Sequence, residues 1–329
     1  MKKHLFLAAA LAASMALNAQ YTQELPLDYN DFFRAEALNA DDEHLEVYTY
    51  ANSDQKSSSK PNGEELHGDQ WNCSGKATDQ KGENPVVAAS TLEFGNYVDN
   101  KKGKEIILVN LPLEDATPVT RASIYSLQKS YAYAGKAYYL AALVQINEAT
   151  GKGDILTMDG NYTANAQRGR MYVNKEGKGY KLGLGWNGEP AAEDYTGELA
   201  FGSTHLVVIK MIPCGNASGV TESAMLWVDP DMTKTEAENV AVSTLEDQTA
   251  GLKSVRGITI RQRSKISGKI AGLRFSDNWA DVVKAAEAGP STGMDEINAE
   301  MKARKVFVNG QMLIERNGEY FNMTGAKVL

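Results

Sequence analysis

The sequence predicts an all-β protein, built as a two-sheet antiparallel sandwich with one short helix near its end and a small β-meander at the C-terminus. Three observations predict it. From Pro85 to Phe275 the chain runs in short segments rich in β-branched and aromatic residues, broken by Gly, Asn and Asp, the pattern of strands joined by turns. One stretch after Phe275 spaces its apolar residues as a helix does. Two Asn-Gly pairs divide the C-terminal tail into short apolar runs. The composition is that of a chain able to bury a core: of 329 residues, 43% are hydrophobic and 23% charged. A formal net charge of −8 and a pI near 5.2 argue against a nucleic-acid partner, whose phosphates attract a basic face. Only 2 cysteines are present, which excludes a disulfide-dense scaffold and a multi-cysteine zinc protein.

The elements follow in chain order. Met1 to Ala19 reads as a secretory signal peptide. Lys2 and Lys3 give a positive start, Leu5 to Leu17 a short apolar run, and Ala19 a small residue before Gln20. That run is shorter than the roughly 20 residues a span needs, and nothing later is long and apolar enough, so no membrane span is expected. Secretion or display at the cell surface follows. Residues 28–84, with the charged run Asp41 to Glu43 and the Ser/Lys-rich stretch Ser53 to Gly63, read as loops over a sheet. Strands are expected at Lys104–Asn110 and at Ala137–Asn147, the latter apolar enough to be central. Arg170–Asn174 and Tyr180–Trp186 flank a hairpin loop at 175–179, and His205–Ile212 and Ser223–Asp229 form a second hairpin. Gly257–Arg261 puts Ile258 and Ile260 on one face, and Ile270–Phe275 puts Ala271, Leu273 and Phe275 on a common face. Ser276 or Asp277 is expected to cap the helix, whose Trp279, Val282 and Val283 form one apolar stripe. Gly289–Gly293 is a linker, and Met294–Lys302 a short helical stretch. Asn309-Gly310 and Asn317-Gly318 are turns, because Asn and Gly tolerate positive φ; they separate strands at Val306–Val308, Met312–Glu315 and Glu319–Asn322. The organisation is therefore a signal peptide (1–19), the sandwich (20–287), a linker with a short helix (288–303) and a β tail (304–329).

Little in the chain points to catalysis. Sugar hydrolysis needs two carboxylates flanking the scissile bond. The central strand carries no acid before Glu148, and Asp41, Glu43 and Glu46 lie in the loop-rich region as a solvated charge run. No catalytic residue is singled out, and the reading leans away from an enzyme. There is no HExxH, no His/Cys cluster, no phosphate-cradling Gly loop and no G-x-S-x-G elbow, so no cofactor is expected. Calcium needs several convergent oxygens. Asp159 beside Asn161, and Asp229 with Asp231, offer two each, with simple turn residues as the competing reading. Cys73 and Cys214 either form one disulfide in an oxidising compartment or stay apart. Glycan binding asks less: aromatic faces for sugar C–H groups, and a few hydrogen-bonding side chains on a sheet or loop rim. Candidates are Trp71 and Tyr97 in loop-like segments, Trp186 at the end of an alternating strand, and Tyr162 next to Asn161, Asn165 and Arg168. Core packing is the competing reading for Trp71 and Trp186, and the expected one for Trp227 and Trp279.

Five segments carry a family likeness: Pro85–Leu108, Ala137–Ile146, His205–Asp231 with its Leu226-Trp227-Val228-Asp229-Pro230 ending, Ile258–Arg263, and Gly268–Val283 with Trp279-Ala280-Asp281-Val282. In this order they resemble the concanavalin A-like (LamG-like) jelly-roll modules of secreted Bacteroidetes proteins, over about Leu25 to Ala286. The resemblance implies a jelly-roll sandwich; it does not choose a function, because such sandwiches host lectins, hydrolases, lyases and spacers. The tail, through Gly310, Gly318, Tyr320 and Gly325, is similar to the sorting segments read by the type IX secretion system, which implies that machinery as a partner. The expectation is a secreted or cell-surface, non-catalytic module that binds glycan or another extracellular polymer on a concave sheet face. Its alternatives are a polysaccharide-degrading hydrolase or lyase and a purely structural surface protein.

Overall fold

The computed structural model describes residues 27–28, 47–49, 71–73, 85–109, 123–131, 135–159, 168–214, 221–248, 255–287, 304–308, 311–316, 319–322 and 328. Its strands are β1 (Leu27–Asp28), β2 (Val47–Thr49), β3 (Trp71–Cys73), β4 (Val87–Ala89), β5 (Lys104–Leu108), β6 (Ser123–Tyr131), β7 (Tyr138–Ala149), β8 (Lys152–Asp159), β9 (Arg170–Glu176), β10 (Gly179–Gly185), β11 (Thr204–Ile212), β12 (Glu222–Val228), β13 (Ser243–Gln248), β14 (Val255–Arg261) and β15 (Ile266–Ser276). A short helix, α1 (Trp279–Val282), follows, and then β16 (Arg304–Val308), β17 (Gln311–Arg316) and β18 (Glu319–Phe321). The chain divides into two compact units, Met1–Ala285 and Ala286–Leu329.

The first unit is the expected two-sheet antiparallel jelly-roll sandwich with a short helix near its end. One sheet has the order β13-β12-β11-β7-β15-β5-β4, with β1 also on β15; the other runs β10-β9-β8-β14-β6-β3-β2. All pairs are antiparallel except β2 with β3. The second unit is a three-stranded antiparallel meander, β16-β17-β18, at the place the tail predicted. The expected signal peptide, linker, helical stretch 294–302 and both Asn-Gly turns lie outside the described residues.

The inter-sheet core follows from period-two alternation. Tyr138, Leu140, Ala142, Val144 and Ile146 of β7 meet Met171 and Val173 of β9 and Leu182 and Leu184 of β10, with Ile258 and Ile260 of β14 beside them. The residues between them on β7, Tyr139, Ala141 and Leu143, are buried too, but in a second cluster on the sheet's outer side. That explains why β7 reads as an unbroken apolar run rather than an alternating one. The cover of this second cluster is α1, through Trp279 and Val282, with its C-cap Val283 and with Leu92 and Tyr97 of the segment before β5. Burying each such side chain fully is worth about 1.5–3 kcal/mol.

Two expectations are corrected. Ala271 does not share a face with Leu273 and Phe275. The register slips between Ala271 and Arg274 where Gly272 takes φ +61, so Ala271 joins the outer cluster while Leu273 and Phe275 stay in the inter-sheet core. The helix cap is Asn278, whose side chain accepts from the Ala280 N–H at 3.2 Å. Ser276 instead accepts from the Asn278 N–H and donates to Asp281.

Candidate functional site

The alternation that fills the core also decides what the seven-stranded sheet turns outward. In β9, Met171 and Val173 enter the core, so Arg170, Tyr172 and Asn174 lie on the outer face. In β14, Ile258 and Ile260 enter and Thr259 and Arg261 turn out. In β8 a register shift between Asp154 and Leu156 lets both Ile155 and Leu156 into the core, and leaves Asp154 and Thr157 outward. Strand pairing lines these residues up across the sheet. Thr259 lies opposite Thr157, and Thr157 opposite Arg170. Asp154 lies opposite Tyr172, Tyr172 opposite Gly183, and Gly183 opposite Tyr195.

Asp154, only 3% exposed, is the hub of this face. Arg261 Nη1 donates to one carboxylate oxygen at 3.0 Å, Arg263 Nη2 donates to the other, and Arg170 Nη1 lies 3.9 Å away. Arg263 Nε also donates to the Asp154 carbonyl at 3.2 Å. Burial lowers the pKa of the Arg261 guanidinium, and the Asp154 charge opposes that shift. The Tyr172 phenol is raised, first by burial and then by Asp154. Such a buried charge hub fixes the guanidinium planes and hence the direction of their remaining N–H groups.

Tyr195 forms the outer boundary of this row. A Cβ on Gly183 would stand 2.5 Å from its ring and 2.6 Å from the Asp194 carbonyl, so only glycine lets this segment lie so close to β10. Backbone bonds from Tyr180 to Leu199 and from Thr196 to Leu182 hold the segment along the strand, and Ser243 Oγ donates to Asp194 to tie it to the other sheet. The Tyr195 phenol is pushed up to about 12, first by burial and then by Glu189. Lys181 Nζ sits 5.5 Å from its ring centre and 2.9 Å from Glu176, and Lys152 pairs with Glu189 at 2.5 Å. The centre is sealed, Tyr172 being 7% exposed, while Tyr195, Asn174, Lys181 and Arg263 form a half-buried rim. Aromatic faces beside fixed N–H and amide groups suit a polyhydroxylated ligand. Asp154, Glu176 and Glu189 each spend carboxylate oxygens on a cation.

Two of the residues singled out from sequence are packed into cores. Tyr97 is 0% exposed in the outer cluster of the other sheet, its hydroxyl donating to the Gly272 carbonyl at 2.9 Å, which leaves a ligand no face to stack on. Trp186, 8% exposed, belongs to the inter-sheet core. Trp71 is on β3 of the seven-stranded sheet, opposite Ser126, with its side chain outside the described residues. Asn161, Tyr162 and Asn165 also lie outside them. Arg168 is half-buried where the chain enters β9, and its carbonyl accepts from Thr157 Oγ1 at 2.8 Å. Trp227 and Trp279 are core, as expected.

Of the calcium candidates, Asp229 and Asp231 engage different partners. Asp229 takes φ +53 and turns toward β11, accepting from His205 Nδ1 at 2.7 Å and the Leu206 N–H at 3.1 Å. Asp231 instead accepts from the N–H and hydroxyl of Thr233. The Asp159 side chain lies outside the described residues, among which no three His, Cys, Asp or Glu side chains group as a metal site. Cys214 carries a thiol that donates to Glu222 Oε1 at 3.1 Å; the side chain of its expected partner, Cys73, lies outside the described residues.

Sequence reasoning passed over Asp154, Tyr172, Arg261, Arg263 and Tyr195. The alternation Arg170-x-Tyr172-x-Asn174 was a legible signal for three polar or aromatic groups on one face. Asp154 had none, because β8 was not expected and no strand placed it opposite Tyr172.

No protein-family profile matches this chain, and no curated protein matches its sequence. Among solved structures, a mutant of the alginate lyase Aly36B in complex with alginate tetrasaccharide aligns at 11% identity, covering 58% of this chain and 86% of that one, with a TM-score of 0.36. The family PL7 alginate lyase AlyA1 from Zobellia galactanivorans aligns at 10%, covering 56% and 81%, with a TM-score of 0.35. Domain 4 of the GH43 arabinanase AbnA from Geobacillus stearothermophilus aligns at 10%, covering 61% and 89%, with a TM-score of 0.32. At these values the likeness is one of strand arrangement, and the fold stands on this chain's own strand pairing.

Proposed function

We propose that this chain is a secreted or cell-surface module that binds glycan, or another extracellular polymer, without catalysis, through the outer face of its seven-stranded sheet. One observation carries the reading: the row Asp154–Tyr172–Gly183–Tyr195, with Arg263 and Lys181 beside it, sets a tyrosine ring and oriented cationic donors along the outer face of β8, β9 and β10. Sugars are held in this way, their C–H faces on aromatic rings and their hydroxyls on fixed donors. No helix among the described residues is long and apolar enough to cross a membrane. Export rests on the leader at 1–19, and delivery by the type IX route on the likeness of the tail.

Retardation of the full chain in gels containing soluble polysaccharides tests the reading. Retention by at least one polymer is expected. Tyr195→Ala and Arg263→Ala should each weaken it about tenfold, equivalent to about 1.4 kcal/mol. Both side chains are half-buried on the rim, so the fold should survive. Absence of retention on every polymer, or retention unchanged in both variants, would overturn the proposal.

A further inference from the structure

A second recess lies on the opposite layer of the sandwich, over the apolar cluster outside the eight-stranded sheet. It has a volume of about 490 Å³, within the range of small-molecule sites. Its two walls are built. One is the turn after β12, in which Asn239 Nδ2 donates to the carbonyls of Asp231 and Thr235, and Thr235 and Glu238 cap one another. The other is α1, capped by Asn278. Trp279 joins the walls, its indole N–H donating to the Lys234 carbonyl at 3.2 Å. The ring is held edge-on to Trp227 at 5.0 Å and to Tyr139 at 6.1 Å.

The chemistry of the lining selects the ligand. Met232, Trp279 and Val283 supply the apolar part, and Thr233, Thr235 and Asn278 the polar part. The one acid is engaged: Glu236 accepts from Lys210 Nζ at 2.6 Å and from the Tyr139 hydroxyl at 2.5 Å, while Lys234, which pairs with Asp231 at 3.3 Å, and Lys284 stand at the exposed edge of the recess. The hydroxyls of Thr233 and Thr235 donate to Asp231 and Glu238 and so offer a ligand their acceptor lone pairs. Asn278 uses its side-chain oxygen on the Ala280 N–H and keeps its amide hydrogens as donors. Acceptors and donors side by side over an apolar floor, with no uncommitted acid, match a ring that carries hydroxyls and no charge.

We propose that this recess is a second binding site, taking one or two neutral pyranose residues, on the layer opposite the Asp154 face. A chain with two such sites on opposite layers would bridge polymer strands and gain avidity over either site alone.

The experiment is saturation-transfer NMR on the full chain with cellobiose, laminaribiose, mannobiose and xylobiose, and with cellobiouronic acid as the charged comparison. At least one neutral disaccharide should bind. Ala280 is exposed at the recess, and Ala280→Trp should fill it and weaken binding more than tenfold. Asn278→Asp keeps the capping oxygen but removes the amide donors, and should weaken binding about fivefold with the melting temperature unchanged; it serves if Ala280→Trp does not fold. Arg263→Ala, on the other layer, should leave disaccharide binding intact and lower polymer retention only. The proposal is overturned if no neutral disaccharide binds, if cellobiouronic acid binds better than all of them, if both recess variants bind as the parent does, or if Arg263→Ala abolishes disaccharide binding. The last result would assign all binding to the Asp154 face and leave the reading above standing.

Discussion

On its outer side the eight-stranded sheet presents Tyr139, Leu143, Val208 and Trp227, whereas the seven-stranded sheet presents Asp154, Arg170, Tyr172 and Arg261. The backbone is the same kind of antiparallel sheet in both, and the two inner faces share one apolar core. The difference lies in how each outer face is satisfied. An apolar face loses stability in contact with water, so it draws a helix and two loop segments over itself and becomes a second core. A charged face satisfies its groups with one another: three guanidiniums gather at one carboxylate, and two Lys–Glu pairs lie at the margin. The first arrangement fixes where loops must go. The second holds donors and rings at set positions on strands, which is what recognition requires.

The largest effect is expected on the covered face. Trp279→Ala removes the ring that contacts Trp227, Tyr139 and the Lys234 carbonyl, and should cost about 3–5 kcal/mol in urea unfolding. A loss below about 1 kcal/mol would mean that the helix is an accessory to this face and not part of its core.

Next comes the hub of the charged face. Asp154→Asn keeps the volume and removes the charge around which Arg170, Arg261 and Arg263 assemble, at about 3 kcal/mol. Partial exposure of Arg263 keeps the figure at the low end. If the variant were as stable as the parent at both low and high salt, the ion pairs would not be what holds this face.

A smaller effect shows in the pH dependence. Folding raises the Tyr195 phenol from 10.0 to about 12, so the neutral form is favoured in the native state. Its contribution is present in full below pH 10 and is lost as the pH rises toward 12. Discounted for solvent screening, it amounts to about 1 kcal/mol or less. Melting curves of the parent and of Tyr195→Phe between pH 9 and about 12 should therefore converge or cross. Identical slopes in the two proteins would remove Tyr195 from the account, leaving Tyr139, Tyr172 and Tyr180, which burial also raises, to explain any alkaline loss.

Much of the sandwich was legible because its signals are local. The long apolar run became β7, the Lys175–Gly179 loop became the β9–β10 hairpin, and the Trp279, Val282, Val283 stripe became a buried helix face. The site was much less legible. Tyr97 and Trp186 have the composition of ligand-facing aromatics, and only their packing shows otherwise. β8 went unread because Gly153 and Asp154 interrupt its apolar pattern, and the same Asp154 is the centre of the charged face.

Sequence by itself determined which residues alternate, where turns fall and which stripe a helix buries, since these depend on neighbours a few positions apart. Tertiary structure decided which strands lie side by side. That choice brings Asp154 to Arg261 and Arg263 across more than a hundred residues, and sets Tyr195 over Gly183 and Trp279 against Trp227. It depends on the summed burial of the whole core, and no short window of sequence contains that sum.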